Sequence, residues 1–142
     1  MNTVAVPCDQ RPEGWSDGAA AYDEWFAPVS SRFAINALRL LGLGPGQRLL
    51  DVAAGTGALT LQAAEAGLDV LAVDFAPGMV RLLRQRLSDG GLDARVEQMD
   101  GQALGCDNAS FDAACSMFGL IFFPDLDAGA RELRRRRGRG RR

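Results

Sequence analysis

Arg48-Leu-Leu-Asp-Val-Ala-Ala-Gly-Thr-Gly57 is the stretch of sequence that decides the fold of this 142-residue chain. Its first half is a short apolar run, which is typical of a β-strand buried on both faces. Gly55 and Gly57 follow at once and lead into an apolar helical segment, so the chain turns sharply from strand to helix. The free N–H groups at the start of that helix favour an anionic group such as a carboxylate or a phosphate. We therefore predict a ligand-binding loop here, although a tight turn without a ligand would use the same residues.

The segments on either side of this loop alternate between strand and helix patterns. Apolar or alternating runs predict strands, and apolar residues at helical spacing predict helices. Strands are expected over residues 48–53, 68–74, 93–99 and 111–117, and helices over 16–26, 28–41, 57–66, 79–87 and 125–133. This order predicts an α/β fold of three layers, in which helices cover both faces of a mostly parallel sheet.

Two acidic residues are expected to meet the glycine loop. Ligands of parallel sheets bind beyond the carboxyl ends of the strands, and Asp74 and Asp100 each follow a predicted strand. Asp74 lies 19 residues after Gly55, a spacing that nicotinamide-dinucleotide folds also use. Thr60 at the third glycine position and Asp51 ahead of the loop disfavour a dinucleotide. A nicotinamide enzyme is therefore the weaker alternative.

The composition excludes several kinds of chemistry. The chain contains no histidine and no lysine, so a histidine base, a Ser-His-Asp triad, a histidine-ligated metal site and a lysine Schiff base are ruled out. Its three cysteines are widely spaced and indicate neither disulfides nor a metal site. No apolar run is long enough to span a membrane and no secretory leader is visible, so we expect a soluble, cytoplasmic protein.

Three motifs occur in a fixed order along the chain. They are Leu50-Asp-Val-Ala-Ala-Gly-Thr-Gly57, Val73-Asp-Phe-Ala-Pro-Gly-Met79 and Asp100-Gly-Gln-Ala-Leu104. Together they resemble class I S-adenosylmethionine-dependent methyltransferases, in particular small-molecule enzymes of the ubiquinone/menaquinone-biosynthesis type, from about Tyr22 to Leu133. The resemblance implies a Rossmann-like fold, S-adenosylmethionine as the cofactor and a small molecule as the methyl acceptor. Methyl transfer from a sulfonium needs mainly proximity, orientation and exclusion of water, so it is compatible with a chain that lacks histidine.

The resemblance also implies roles around the first two motifs. The loop from Asp51 to Gly57 would hold the amino-acid end of the cofactor, with Asp51 organising the loop and binding the ammonium. Asp74 would bind the ribose, because a carboxylate offers two acceptor oxygens to two hydroxyl donors. Phe75 and Met79 would pack on the adenine, unless they are ordinary core residues. Ala76 stands where the family often has a serine or threonine helix cap, which predicts a cost of about 1 kcal/mol.

Further roles fall on the third motif and on the fourth predicted strand. Asp100, with the backbone of Gly101 or Gln102, would bind the edge of the adenine, unless Asp100 is simply a turn residue. Ser116 lies in a segment that would flank the reactive methyl, and Tyr22 could reach the cofactor from the first helix. No catalytic base is identified. The expected cofactor-binding residues are Asp51, Ala53, Gly55, Gly57, Asp74, Phe75, Met79, Asp100, Gly101, Gln102 and Ser116.

The two ends of the chain differ from its middle. We predict a flexible lead-in over residues 1–14, a cofactor-binding domain over 15–133 and an arginine/glycine tail over 134–142. The family continues with further strands where this tail begins, so we expect only the first four strands and a truncated enzyme or a frameshifted reading. The fourth strand would then be an exposed edge that could pair with a second copy of the chain. The alternative to an active enzyme is therefore an inactive cofactor-binding or dimerising remnant, and the acidic body of the chain disfavours nucleic-acid binding through the tail.

Overall fold

The computed structural model describes residues 5–138, which form a three-layer α/β structure. Among these residues, no helix is long and apolar enough to cross a membrane. The strands are β1 (Arg48–Val52), β2 (Asp69–Asp74), β3 (Arg95–Gln98) and β4 (Ala113–Cys115). The helices are α1 (Pro12–Trp25), α2 (Ala27–Leu41), α3 (Ala58–Glu65), α4 (Pro77–Gly90) and α5 (Leu126–Arg136), with short 3₁₀ turns at Cys8–Gln10 and Leu120–Phe122.

The four strands form one parallel sheet in the order β3-β2-β1-β4. Leu50 of β1 pairs with Leu71 of β2 and with Ala114 of β4. Because chain order reverses between β1 and β4, the carboxyl ends of the strands flank a crevice at this point. The predicted parallel α/β sheet is confirmed.

Alternate residues of β1 and β2 build the two faces of the core. Leu49 and Val70 pack against α2 and α3, while Leu50 and Leu71 pack toward Phe111 and α5. Side chains of a strand point to opposite faces in turn, so a run of consecutive buried residues requires cover on both sides. This explains why the continuous apolar runs of the sequence were a reliable indicator of central strands.

Helix α4 receives its amino-terminal cap from helix α1. Ala76 at the cap position has no side-chain hydrogen bond, but the N–H of Gly78 donates to Oγ of Ser16 at 2.9 Å. A Cβ on Gly78 would lie 2.6 Å from Cα of Ser16, so only glycine allows the two helices to approach this closely. The cost predicted for Ala76 is thus offset by a residue from another helix.

Replacing Ser16 with alanine is expected to lower the free energy of unfolding by about 1 kcal/mol, the usual value of a helix cap. The physical reason is that the N–H of Gly78 would lose its acceptor while the helices stay packed. Urea unfolding followed by circular dichroism measures the effect. Ser88→Ala, at the exposed end of the same helix, is the control and should change stability by less than about 0.5 kcal/mol. Equal losses in the two variants would contradict the cap.

The predicted lead-in contains local secondary structure. Of the expected lead-in, residues 1–4 lie outside the described residues, but a 3₁₀ turn covers Cys8–Gln10 and α1 begins at Pro12. The indole N–H of Trp15 donates to the carbonyl of Asp9 at 2.7 Å, which ties the turn to the helix. The predicted start of α1 at Ser16 was wrong because proline suits the first turn of a helix, where no N–H is needed.

Part of the predicted arginine tail belongs to the folded structure. Helix α5 continues to Arg136, whose side chain is buried and bonds to the carbonyl of Leu104 and to Oε2 of Glu132, the latter at 2.8 Å. Glu132 also accepts from the N–H of Leu104 at 2.8 Å, so both members of this buried charge pair have a further partner, although Nε of Arg136 is buried without one in the described structure. Helix α5 thus extends past the predicted boundary at residue 134, and residues 139–142 lie outside the described residues.

The strands β3 and β4 are shorter than predicted. Instead of joining β4, Phe111 makes a single parallel bridge with Arg137, and the N–H of Gly138 donates to the carbonyl of Phe111 at 2.8 Å. Strand β4 lies at the edge of the sheet, as expected. Its pairing with a second copy of the chain stays a prediction.

Candidate functional site

A cavity of about 410 Å³ opens at the carboxyl ends of the strands. The loops after β1, β2 and β3 form its floor, helices α1 and α2 form one wall, and residues 117–124 form the other. Eight of the residues expected to bind a cofactor line it, namely Ala53, Gly55, Asp74, Phe75, Met79, Asp100, Gly101 and Gln102. The predicted convergence of the glycine loop with the two strand-end acids is confirmed.

Asp74 holds the glycine loop in place. Its Oδ2 accepts from the N–H of Gly55 and its Oδ1 from the N–H of Ala76, both at 2.9 Å. Burial raises the pKa of Asp74, although these two N–H groups oppose that rise. The carboxylate therefore joins the ends of β1 and β2 and still borders the cavity, where its remaining lone pairs are available to a ligand.

Asp51 lies beneath the glycine loop and is not among the residues that line the cavity, so its expected roles in organising the loop and in binding the ammonium of a cofactor stay predictions. It is 1% exposed, and its Oδ2 accepts from Oγ1 of Thr60 at 2.6 Å. Its Oδ1 is buried without a hydrogen-bond partner in the described structure. Burial, with a smaller contribution from the charge of Asp74, raises the pKa of Asp51 to about 7. Thr60, which distinguishes this loop from a three-glycine motif, is thus the partner of the buried acid.

Gly57 and Ser116 also lie outside the cavity lining. Gly57 has a left-handed φ of 95° at the start of α3, and a Cβ there would collide with Leu83, so this glycine serves helix packing. The hydroxyl of Ser116 is buried without a partner in the described residues. The three residues after Ser116 line the cavity in its place.

Backbone strain is concentrated at this site. Ala53 and Phe118 have left-handed φ values of 56° and 64°, which are uncommon for residues other than glycine. A Cβ on Gly119 would collide with Ala53, so the β1 loop and the segment after β4 are in direct contact. Such strain persists only where surrounding packing enforces it, and it is characteristic of functional sites.

Asp100 is held by a local turn. Its Oδ1 accepts from the backbone N–H of Gln102 at 2.8 Å, and Oε1 of Gln102 accepts from the N–H of Asp125 at 2.8 Å. Between these residues, a Cβ on Gly101 would lie 2.5 Å from the ring of Phe123 and 2.7 Å from the side chain of Val52. The glycine is therefore required for the close packing of this turn against the aromatic wall and the core.

The aromatic walls were not predicted, apart from Tyr22. Trp15 contacts Tyr22 and Phe122 edge-on, with ring centroids 6.0 and 5.0 Å apart, and Phe33 of α2 meets Phe118 edge-on at 5.4 Å. Six of the seven phenylalanines line the cavity. The sequence signal that could have revealed the walls is the concentration of aromatic residues within 15–33 and 118–123, two segments that bracket all four strands.

Arg86 joins helix α4 to helix α1 and to the glycine loop. Its Nη1 donates to Oδ1 of Asp23 in α1 at 2.7 Å and to the carbonyl of Thr56 in the glycine loop at 3.3 Å. One guanidinium thus links the cavity wall to the loop. No local pattern in the sequence identifies this residue, because its two partners are 63 and 30 positions away.

Replacing Arg86 with alanine is expected to destabilise the protein by about 1 kcal/mol, because the ion pair is only half-buried and partly screened by solvent. Asp23→Asn and the double variant complete a thermodynamic cycle measured by urea unfolding. The coupling energy between Arg86 and Asp23 should be favourable, about 0.5–1 kcal/mol. A coupling of zero would show that the pair does not hold α1 on α4.

Comparisons with known proteins agree with this geometry. A family model described as a methyltransferase domain matches residues 49–138. A demethylmenaquinone methyltransferase of Renibacterium salmoninarum is 46% identical over 80 residues, which is 56% of this chain and 32% of that enzyme. An uncharacterized protein of Mycobacterium tuberculosis is 36% identical over 117 residues, covering 82% of this chain and 41% of that protein. The chain therefore spans less than half the length of these two relatives.

The fold is also shared with solved structures. A candidate S-adenosyl-L-methionine-dependent methyltransferase of Methanococcus maripaludis superposes with a TM-score of 0.77, over 97% of this chain and 63% of that one. Their sequences are 21% identical, so this likeness concerns the fold.

Proposed function

This chain belongs to the class I S-adenosylmethionine-dependent methyltransferases, and from that membership we propose that it binds the cofactor in the cavity at the strand ends and transfers a methyl group to a small molecule. The small-molecule acceptor is supported by the likeness to a demethylmenaquinone methyltransferase. Activity is part of the proposal, because the matched relatives are about twice as long or longer.

One observation carries the proposal, and it is the charge of the cavity. The ionisable acids that line it are Asp74 and Asp100, and none of the lining residues in the described structure is cationic. A sulfonium cofactor brings a positive charge, hydroxyl donors and an amino group, which carboxylates complement. A nicotinamide dinucleotide would instead place a pyrophosphate beside these acids without an arginine to neutralise it.

The residues fit the cofactor as follows. The free lone pairs of Asp74 would accept from the ribose hydroxyls, and Phe75 and Met79 would pack on the adenine. The glycine loop would face the amino-acid end of the cofactor, although the N–H of Gly55 itself already donates to Asp74. The unpartnered Oδ1 of Asp51 lies below that loop and would attract the ammonium through the field rather than by direct contact.

In the reaction itself, the protein would act mainly by positioning. The bound cofactor supplies an activated methyl carbon for in-line displacement. The loop and Asp74 fix one side of the site, while the aromatic wall of α1 and α2 excludes water from the other. The chain contains no histidine, so loss of a proton by the acceptor would depend on the acidity of the acceptor or on a carboxylate of the cavity.

The proposal is tested by calorimetric titration of the full chain with S-adenosylmethionine, S-adenosylhomocysteine and NAD. We expect the two sulfur compounds to bind and NAD to bind at least tenfold more weakly. Transfer of a labelled methyl group to a panel of small acceptors tests the proposed methyltransferase activity. Preferential binding of NAD would refute S-adenosylmethionine as the cofactor. Binding of S-adenosylmethionine without any methyl transfer would instead support the alternative of an inactive cofactor-binding protein.

A further inference from the structure

Helix α1 is anchored to helix α4 by two polar contacts. Oγ of Ser16 accepts from the N–H of Gly78 at 2.9 Å, and Oδ1 of Asp23 accepts from Nη1 of Arg86 at 2.7 Å. In each helix the two contacting residues are about two turns apart, so α1 and α4 lie side by side over this length. The first contact only caps α4, whereas the second involves an arginine that also reaches the glycine loop.

The same nitrogen of Arg86 donates to the glycine loop. Nη1 lies 3.3 Å from the carbonyl oxygen of Thr56, and this guanidinium nitrogen carries two hydrogens, one for each acceptor. Thr56 stands between Gly55 and Gly57, which have left-handed φ values of 58° and 95°. Because glycine permits many backbone conformations, the geometry of this loop has to be imposed by its contacts.

Two charged side chains supply such contacts to the loop. Asp74 accepts from the N–H of Gly55 at 2.9 Å, and Arg86 donates to the carbonyl of the next residue, Thr56. The first contact ties the loop to the sheet, and the second ties it to the interface between α1 and α4. Asp74 lines the cavity but Arg86 does not, so any effect of Arg86 on a ligand must pass through the loop or through α1.

Helix α1 also forms the wall that meets this loop. Tyr22, which precedes Asp23, lines the cavity, and its Cε1 lies 3.7 Å from the position of a Cβ on Gly55. The tyrosine ring thus packs against the loop, and a shift of α1 would alter the shape of the cavity where the two meet. Arg86 bonds to both sides of this contact, since Asp23 belongs to α1 and Thr56 to the loop.

From these contacts we propose that Arg86 is a positioning residue for the cofactor, because it fixes the glycine loop against α1 before the cofactor binds. The inference rests on the proposed function, which assigns the cofactor to this cavity. Binding to a loop that is already ordered avoids the entropic cost of ordering it. Loss of Arg86 should therefore weaken cofactor binding although its side chain does not line the cavity.

Arg86→Met tests the inference, because methionine keeps much of the apolar length of the side chain and removes both hydrogen bonds. The affinity of the full chain for S-adenosylhomocysteine, measured by calorimetry, should fall about tenfold. The matched control is Arg84→Met in the same helix, where the arginine donates to the carbonyl of Val96 in β3 and lies outside the cavity lining. That variant should bind within about twofold of the wild type. Unchanged binding by Arg86→Met, or an equal loss in Arg84→Met, overturns the inference.

Ser16→Ala separates a role at the loop from a role in holding α1. It removes the other contact between α1 and α4 and leaves the two bonds of Arg86 in place. Its affinity should stay within about twofold of the wild type, at a temperature where circular dichroism shows every variant to be folded. Equal losses in Ser16→Ala and Arg86→Met would assign Arg86 to helix packing alone and would overturn the inference.

Hydrogen exchange of the loop provides a readout that needs no ligand. The N–H groups of Gly55 and Gly57 are both hydrogen-bonded within the protein. In the unliganded protein, Arg86→Met should speed their exchange about tenfold, whereas Arg84→Met and Ser16→Ala should not. Unchanged exchange in Arg86→Met also overturns the inference. Failure of the proposed function is seen separately, as no binding of S-adenosylmethionine by the wild-type protein while exchange of the loop still depends on Arg86.

Discussion

Asparagine in place of Asp74 is expected to weaken binding of S-adenosylmethionine about 100-fold or more. Both oxygens of Asp74 accept backbone N–H groups, one from Gly55 and one from Ala76. An amide has only one oxygen, so one of these donors would face an NH₂ group, and the loop would have to move. The variant would also lose an ionic acceptor for the ribose, and hydrogen bonds to charged groups contribute about 1.5–3 kcal/mol each.

Calorimetric titration with S-adenosylmethionine and S-adenosylhomocysteine measures this loss. The matched control is Asp69→Asn, at the opposite end of the same strand, where the carboxylate is half exposed and pairs with Arg48 at 3.5 Å. That control should bind both compounds with unchanged affinity. Circular dichroism verifies that both variants fold. Unchanged binding by a folded Asp74→Asn protein would remove Asp74 from the site.

Asparagine in place of Asp51 is expected to stabilise the protein above neutral pH. Burial raises the pKa of Asp51 from 3.8 to about 7 in the folded state. Between these values the folded protein holds a proton that the unfolded chain has released, so the free energy of unfolding falls as pH rises from about 4 to 7. The displaced pKa corresponds to on the order of 4 kcal/mol lost by pH 8. A neutral amide can still accept from Thr60 and avoids this loss.

The measurement is the free energy of unfolding at intervals from pH 4 to pH 8. The wild-type protein should lose stability across this window, whereas Asp51→Asn should lose less and should exceed the wild type at pH 8. Some slope will persist in the variant because burial also raises the pKa of Asp74. Asp93→Asn, at an exposed position, serves as the control and should follow the wild-type curve. Parallel curves for Asp51→Asn and wild type would contradict the raised pKa.

The central features of the fold could be predicted because their signals are local. A continuous apolar run identifies β1, and Gly42, with a left-handed φ of 62°, ends α2 as expected. The acids at the carboxyl ends of β1, β2 and β3 were placed correctly along this end of the sheet, since a strand fixes the position of the residue that follows it. What local pattern could not show is that Asp51 turns beneath the loop while Asp74 turns into the cavity.

The remaining features depend on contacts between distant residues. The residues that α1 and α2 contribute to the cavity lining are set by how these helices pack on α4. The extension of helix α5 to Arg136 depends on contacts with Glu132 and Leu104. The pairing partner of Arg86 is equally non-local. From the local sequence, Arg136 is expected to be exposed to solvent. Only its pairing with the buried carboxylate of Glu132, one helical turn earlier, makes it part of the core.

The cap that Ser16 provides for α4 ties that helix to a distant part of the chain. Its two partners are 62 residues apart, and closing so large a loop has an entropic cost that must be met before the contact contributes. The pairing of Leu49 with Ala113 across β1 and β4 spans a similar length. The wall of the cavity and the sheet beneath it are therefore cooperative features of the whole domain, and neither is expected to form from a short segment alone.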